Sequence, residues 1–253
     1  MDALPSLEQL QNLSSGSALV APAPMRNGGM RLQAVRDVAL GVGMRGGMAH
    51  RSKVIDQVLA DRARDLDRIY DFSGLLVHGR IIPPVLSEAR DIYTQEGGDT
   101  LRLAGNLFKV EAQARFSSRP PHWRQYLALP STEGVVPNDL FLPRDGEERE
   151  AWKRAVAEGW RIGIEQANLI LASQLDRLNR DFIGMVRYHI YVKKNLITMP
   201  VMAQQNMPLN LSGDALAVDE TLLRIVTLPA FNTDQTSWKA LPSPTAPAQT
   251  QAE

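Results

Sequence analysis

Residues 147–190 contain no proline, and their apolar positions keep helical time. Trp152, Val156, Trp160, Ile164, Ala167, Leu171, Leu175, Leu178, Phe182 and Met185 advance 33 residues in nine steps. That is close to the 3.6-residue period of an α-helix. The opposite side carries Arg161, Glu165, Asp176, Arg177, Arg180 and Asp181. The spacing predicts one long amphipathic helix, able to bend near Gly159 or Gly163. A helix this long must bury its stripe against other elements, so the rest of the chain is read around it.

Residues 30–70 also read as helical, with apolar marks at Leu32, Val35, Val38, Val54, Ile55, Val58, Leu59 and Leu66. Gly41, Gly43, Gly46 and Gly47 interrupt the pattern. Each costs a helix about 1 kcal/mol relative to Ala. They mark either a break between two helices or a place where another backbone comes close. Pro83-Pro84 should end any helix before it and open a short helix over 85–93, closed by Gly97-Gly98. Alternation at Phe108, Val110, Ala112, Ala114 and Phe116, with a turn at Gly105-Asn106, predicts a β-hairpin over 101–116. A second hairpin is expected over 209–228, turning at Ser212-Gly-Asp214, after a loop bracketed by Pro200 and Pro208. The resulting fold class is α+β: a helix-rich single domain over 31–238, with one long amphipathic helix and two small hairpins. Residues 1–30 read as a flexible arm with a short helix at 7–13, and 239–253 as a disordered Pro-rich tail.

Composition removes several function classes. The 253-residue chain has 28 basic and 28 acidic side chains, so no global field draws it to DNA or to an anionic surface. Direct nucleic-acid binding is therefore not expected. It has no cysteine, which excludes disulfides and thiolate chemistry. No apolar run reaches the length of a membrane-spanning helix. The four histidines, His50, His78, His122 and His189, lack metal-ligand spacing, and no metal or other cofactor is expected. Gly41-Val-Gly-Met-Arg-Gly46 spells a dinucleotide fingerprint but follows no strand. Asp61, Asp65, Asp67 and Asp71, interleaved with Arg62, Arg64 and Arg68, read as a solvated or subunit-facing helix rather than paired catalytic carboxylates.

What remains distinctive is aromatic and proline-rich. Tyr70 and Phe72 follow the charged helix, Pro83 and Pro84 fix a corner, and Pro120-Pro-His-Trp-Arg-Gln-Tyr126 combines stiffness with Trp123, Arg124 and Tyr126. Trp, Tyr and Arg anchor interfaces, and the same residues also anchor cores. Trp160 lies between Gly159 and Gly163, where packing within the chain is expected. These eight residues are the candidate anchors. No catalytic residue is assigned.

Several of these words, in this order, resemble the DotC-type family of type IVB secretion and plasmid conjugation, whose plasmid members are called TraI-type. The shared positions include Ala63-Arg64, Leu66-Asp67, Ile69-Tyr-Asp-Phe72, Pro83-Pro-Val85, Pro120-Pro121, Trp123-Arg-Gln-Tyr-Leu127, Trp152, Gly159-Trp160, Gly163-Ile164, Gln166-Ala-Asn168, Asp181-Phe182, Gly184-Met185 and Leu228-Pro229. The resemblance implies a non-enzymatic, lipid-anchored periplasmic subunit of an outer-membrane core complex. It would assemble with a DotD-type lipoprotein, a DotH-type ring protein and further copies of itself in a ring. Family members carry a signal peptide with a lipidated cysteine. Residues 1–8 do not read as one, so the anchor is expected to have been removed or lost. The other class kept open is a standalone cell-envelope hydrolase or ligand-binding protein.

Overall fold

The computed structural model describes residues 4–14, 28–95, 101–130, 139–212 and 215–239. The fold is α+β and dominated by two long helices. The chain forms two compact units, each assembled from two stretches of sequence. The first unites the residues before Tyr70 with Trp123–Arg177, and the second unites Tyr70–His122 with the residues from Leu178 onward.

The first unit is helical. Its elements are α1 (Leu7–Gln11), α2 (Gly28–Asp61), α3 (Ala63–Ile69), α4 (Trp123–Tyr126) and residues 146–177 of α5 (Gly146–Lys193). The short helix expected over 7–13 is α1, closed by a Ser6–Gln9 capping box. A tryptophan of α5 holds it, because Trp152 Nε1 donates 2.9 Å to the Leu10 carbonyl. Leu10, Val35, Ala39, Val42, Leu142, Trp152, Ala155 and Val156 form the core here.

The long helix read from the sequence is α5. It starts one residue earlier than expected because Asp145 accepts the Glu148 N–H at 2.8 Å, and Glu147 and Glu148 then sit at the positive end of the helix dipole. It ends with Asn195 in the left-handed region at φ 61°. The Leu196 N–H reaches back to the Tyr191 carbonyl and the Asn195 N–H to that of Val192, which satisfies the last turn.

The glycines of α2 do not break it. A Cβ on Gly43 would lie 2.2 Å from the Val156 carbonyl oxygen, and one on Gly47 2.2 Å from that of Trp160. The relation is reciprocal, since Gly159 and Gly163 face the Leu40 and Met44 carbonyls as closely. Two helix backbones therefore meet with no side chain between them, and α5 runs as one helix through its own glycines. The pair is parallel and keeps register. Arg31 meets Glu148 at one end and Arg51 meets Asn168 at the other, both 117 residues apart in sequence.

The second unit holds α5 residues 178–193 and three two-stranded antiparallel sheets. These are β1 (Ile81–Ile82) with β4 (Arg115–Phe116), β2 (Val85–Gln95) with β3 (Leu101–Ala112), and β5 (Val201–Ser212) with β6 (Ala215–Thr227). Three expectations are corrected. Residues 85–93 form a strand, not a helix. Buried Pro83 and Pro84 deliver an extended chain, and Val85 and Leu86 pair with Ala112 and Val110. The helix-favouring Leu, Glu, Ala and Arg of this stretch are overruled by cross-strand pairing. Gly105-Asn106 lies inside β3, so 101–116 is not a hairpin in itself. Its first part pairs back to β2 and its end to β1. Residues 201–208 are strand, so the second hairpin is longer than the expected 209–228. Pro208 is accommodated because β5 is an edge strand among the described residues. Gly97-Gly98, the turn at Gly213-Asp214 and the tail from 240 lie outside the described residues.

The core of this unit is Val77, Ile81, Leu86, Ala114, Tyr188, Tyr191 and Ile197. Gly184 lets β2 reach α5, because a Cβ there would fall 2.6 Å from Val85 Cγ1 and 2.9 Å from the Leu86 nitrogen.

Candidate anchors and the groove of the second unit

Trp123 is buried at the start of α4, and its Nε1 donates 2.7 Å to Asp67 Oδ1 on α3. This gives the charged Asp–Arg helix a use that its pattern did not reveal: Asp67 holds the tryptophan. Arg124, more than half exposed, lies 4.3 Å over the Trp123 ring and 3.5 Å from Asp67. Tyr126 is half-buried with the Arg177 guanidinium 5.1 Å over its ring. Gln174 closes the segment by donating 2.9 Å to the Ala128 carbonyl. Trp160, half-buried, packs where α2 and α5 touch, 5.4 Å from the His50 ring.

The other anchors belong to the second unit. Phe72 is buried edge-on to Phe182 at 5.2 Å, and half-buried Tyr70 meets the same ring at 5.4 Å. The Tyr70 hydroxyl donates 2.5 Å to Asn179 Oδ1. Pro83 and Pro84 are fully buried. Trp123, Phe72, Pro83 and Pro84 thus sit in the chain's own core, whereas Arg124 presents its head to solvent.

The histidines are dispersed. His78 occupies the turn between Val77 and Ile81 with φ 52°, and His189 Nε2 donates 2.7 Å to the Leu75 carbonyl. Among the described residues no three His, Asp or Glu side chains converge in a way that could hold a metal ion.

A groove of about 770 Å³ opens between the β2–β3 hairpin and α5 in the second unit. Phe108, Ile183, Val186 and Ile190 line it, with Arg90 and Lys194 beside them. At its edge Tyr191 donates 2.7 Å to Glu88 Oε2, while Arg187 lies 3.5 Å from the same oxygen. The Tyr191 bond first, with Arg90 and Arg187 beside it, holds the Glu88 carboxyl below its ordinary 4.5. Burial and that bond push the Tyr191 hydroxyl up. Burial alone raises Tyr188 to about 12. These shifts make Glu88 a weaker base and keep both tyrosines neutral, the opposite of what a poised acid–base pair needs.

Two carriers of stability escaped the sequence reading. Glu148 is buried under a two-pronged bond from Arg31, Nε to Oε1 at 2.7 Å and Nη2 to Oε2 at 3.2 Å. The same guanidinium donates to the Leu140 and Leu142 carbonyls. The second is Asp67. Both are charged residues whose partners are remote in sequence, so no local pattern marks them.

The family model for type IV secretory system proteins of conjugal DNA-protein transfer, the TraI family, matches residues 29–240. That range includes both long helices and all three sheets, and the chain belongs to this family. It is a component of a type IV secretion or conjugal transfer system. No curated protein matches the chain. Among the described residues no helix is long and apolar enough to cross a membrane.

Proposed function

We propose that this protein is a structural subunit of the outer-membrane core complex of a type IVB secretion or conjugation machine. It works through surfaces and not through a reactive site. It is of the DotC type, resides in the periplasm at the outer membrane, and assembles with DotD-type and DotH-type subunits and with its own copies in a ring. The family match across both compact units carries this reading. The local chemistry agrees with it, since Glu88 and Tyr191 beside the groove are shifted away from acting as an acid–base pair.

The test is native purification of the full chain from cell envelopes of a transfer-proficient strain, together with deletion of its gene. DotD-type and DotH-type proteins should co-purify, and deletion should abolish conjugal transfer or effector export. Purification as a lone monomer with transfer intact after deletion would refute the proposal and favour a standalone envelope hydrolase or ligand-binding protein.

A further inference from the structure

In the second unit α5 is apolar on two sides. Met185, Tyr188 and Tyr191 are buried. Ile183, Val186 and Ile190, at helical steps of three and four, line the groove instead. Among the described residues nothing covers them fully, and Ile183 stays 51% exposed and Ile190 40%. A helix that is apolar around most of its circumference is one that proteins bury. The other wall of the groove is one face of the β2–β3 hairpin, because Glu88 stands opposite Phe108 and Arg90 opposite Asn106 across the two strands. The groove is therefore walled by side chains and not by a bare strand edge.

Its charge is unbalanced, although that of the whole chain is not. Arg90, Arg187 and Lys194 line it, against Glu88 and Asp91. The Glu88 carboxylate is already occupied, since Tyr191 donates to it and Arg90 and Arg187 lie 3.0 and 3.5 Å away. Two guanidinium groups thus share one carboxylate. Lys194 holds its Nζ 5.5 Å over the Tyr191 ring and has no acidic partner among the described residues. Arg187 and Lys194 stand seven residues apart, which places them about 10.5 Å from one another along one side of α5.

We infer that this groove receives an acidic amphipathic helix of another protein of the transfer machine, an inference that rests on the reading of the chain as an assembly subunit. The exposure of Ile183 and Ile190 decides against a small molecule, because such sites enclose most of their ligand's surface. The side-chain walls decide against an added strand, which needs a free backbone edge. A helix meets the ridge of Ile183, Val186 and Ile190 with its own apolar residues at i, i+3 and i+7. Carboxylates seven residues apart on its flank would face Arg187 and Lys194, and the positive surplus of the groove selects them. No described helix of this chain answers to that: α1, α3 and α4 have seven residues or fewer, and α2 and α5 are committed to each other along the glycine seam. The occupant is therefore a different chain and not a second copy.

The test uses the full chain in envelopes of a transfer-proficient strain. The photoreactive residue p-benzoylphenylalanine replaces Ile183, Val186 and Ile190 in turn, with exposed Leu169 of α5, outside the groove, as control. After irradiation, mass spectrometry identifies the segment joined to each site. Ile183 and Ile190 should both cross-link one acidic, helix-forming segment of a different protein, and Leu169 should not. That segment, made as a peptide, should bind the purified full chain, and Lys194→Glu should weaken binding by about five- to tenfold. Exchanging the facing glutamate of the peptide for lysine should restore most of the loss, which a merely structural defect would not allow, and circular dichroism checks the fold of each variant. The inference is overturned if the groove sites give no cross-link or share the pattern of Leu169. It is also overturned if they join to lipid, to a second copy of this chain or to a segment without acidic residues. Unchanged peptide binding by Lys194→Glu, or no recovery with the exchanged lysine, overturns it as well. None of these outcomes refutes membership in the transfer machine, which fails separately if gene deletion leaves transfer intact.

Discussion

Replacing Gly47 by alanine opposes two effects of known sign. In a helix interior Gly→Ala ordinarily stabilises by about 1 kcal/mol, because alanine restricts the unfolded chain more. At Gly47 the new methyl would sit 2.2 Å from the Trp160 carbonyl oxygen, closer than any real Cβ contact. That oxygen belongs to the backbone of α5 and cannot swing aside as a side chain tip could. To reach even 3.0 Å the helices must part by the better part of an ångström, loosening Val156 and Trp152 as well. Overpacking of this kind costs about 1–3 kcal/mol, and lost contacts along the seam add to it. The net expectation is destabilisation by about 1–2 kcal/mol, with Tm falling by roughly 2–8 °C. Gly41 is the internal control. It lies in the same helix, and a Cβ there meets nothing within 4 Å. Gly41→Ala should therefore stabilise by about 0.5–1 kcal/mol. Urea unfolding of the full chain, followed by tryptophan fluorescence and circular dichroism, reads both. Trp123, Trp152 and Trp160 all report on the first unit. If both variants gain stability equally, the two backbones do not meet at Gly47 and the close-approach account is refuted.

Three further outcomes follow from the contacts above. Trp123→Ala should cost about 3–5 kcal/mol of unfolding free energy, as for other buried aromatics, whereas Arg124→Ala, at an exposed side chain, should cost no more than about 1 kcal/mol; equal losses in denaturant titration would contradict their different burial. Arg31→Ala leaves the Glu148 carboxylate buried without its main partner and should destabilise by about 2–3 kcal/mol, with Glu148→Gln milder, both read by thermal unfolding. Glu88 has a folded pKa depressed below 4.5, so its ionised form stabilises the fold above that value, and the contribution is lost as pH falls below 4.5 toward the lowered folded value. The Tm gap between wild type and Glu88→Gln should accordingly be widest near neutrality and close under acid; a gap that grows on acidification would reverse the sign.

The parts of the fold that were legible are those coded locally. The α5 periodicity needs no partner to be seen, because apolar residues every three or four positions report the stripe wherever it packs. The β5–β6 hairpin was legible in its later part, and its first residues were hidden because Pro200 and Pro208 suggest a loop until β5 is known to be an edge. Residues 85–93 were misread because local composition favours helix, while the strand exists through pairing with 101–112 and through the space that Gly184 leaves on α5. The α2 glycines were ambiguous for the same reason: break and close approach look alike until Gly159 and Gly163 are seen opposite them. Among the anchors, the residue types were legible but their surroundings were not. Nothing near Trp123 in sequence reveals that Asp67 receives its indole N–H.

The parallel course of α2 and α5 has a topological consequence. Antiparallel helices can be joined by a few residues, but a parallel neighbour requires the chain to travel back along the whole helix. For the 34 residues of α2 that return is about 50 Å. The return path here contains the excursion Tyr70–His122, which carries β1 to β4. An obligatory detour is a tolerant place for novelty, because lengthening it changes the closure entropy only logarithmically. Lineages can therefore resize or redecorate this excursion while the glycine seam stays in register, giving a machine subunit a fixed spine and an adjustable module on a single chain.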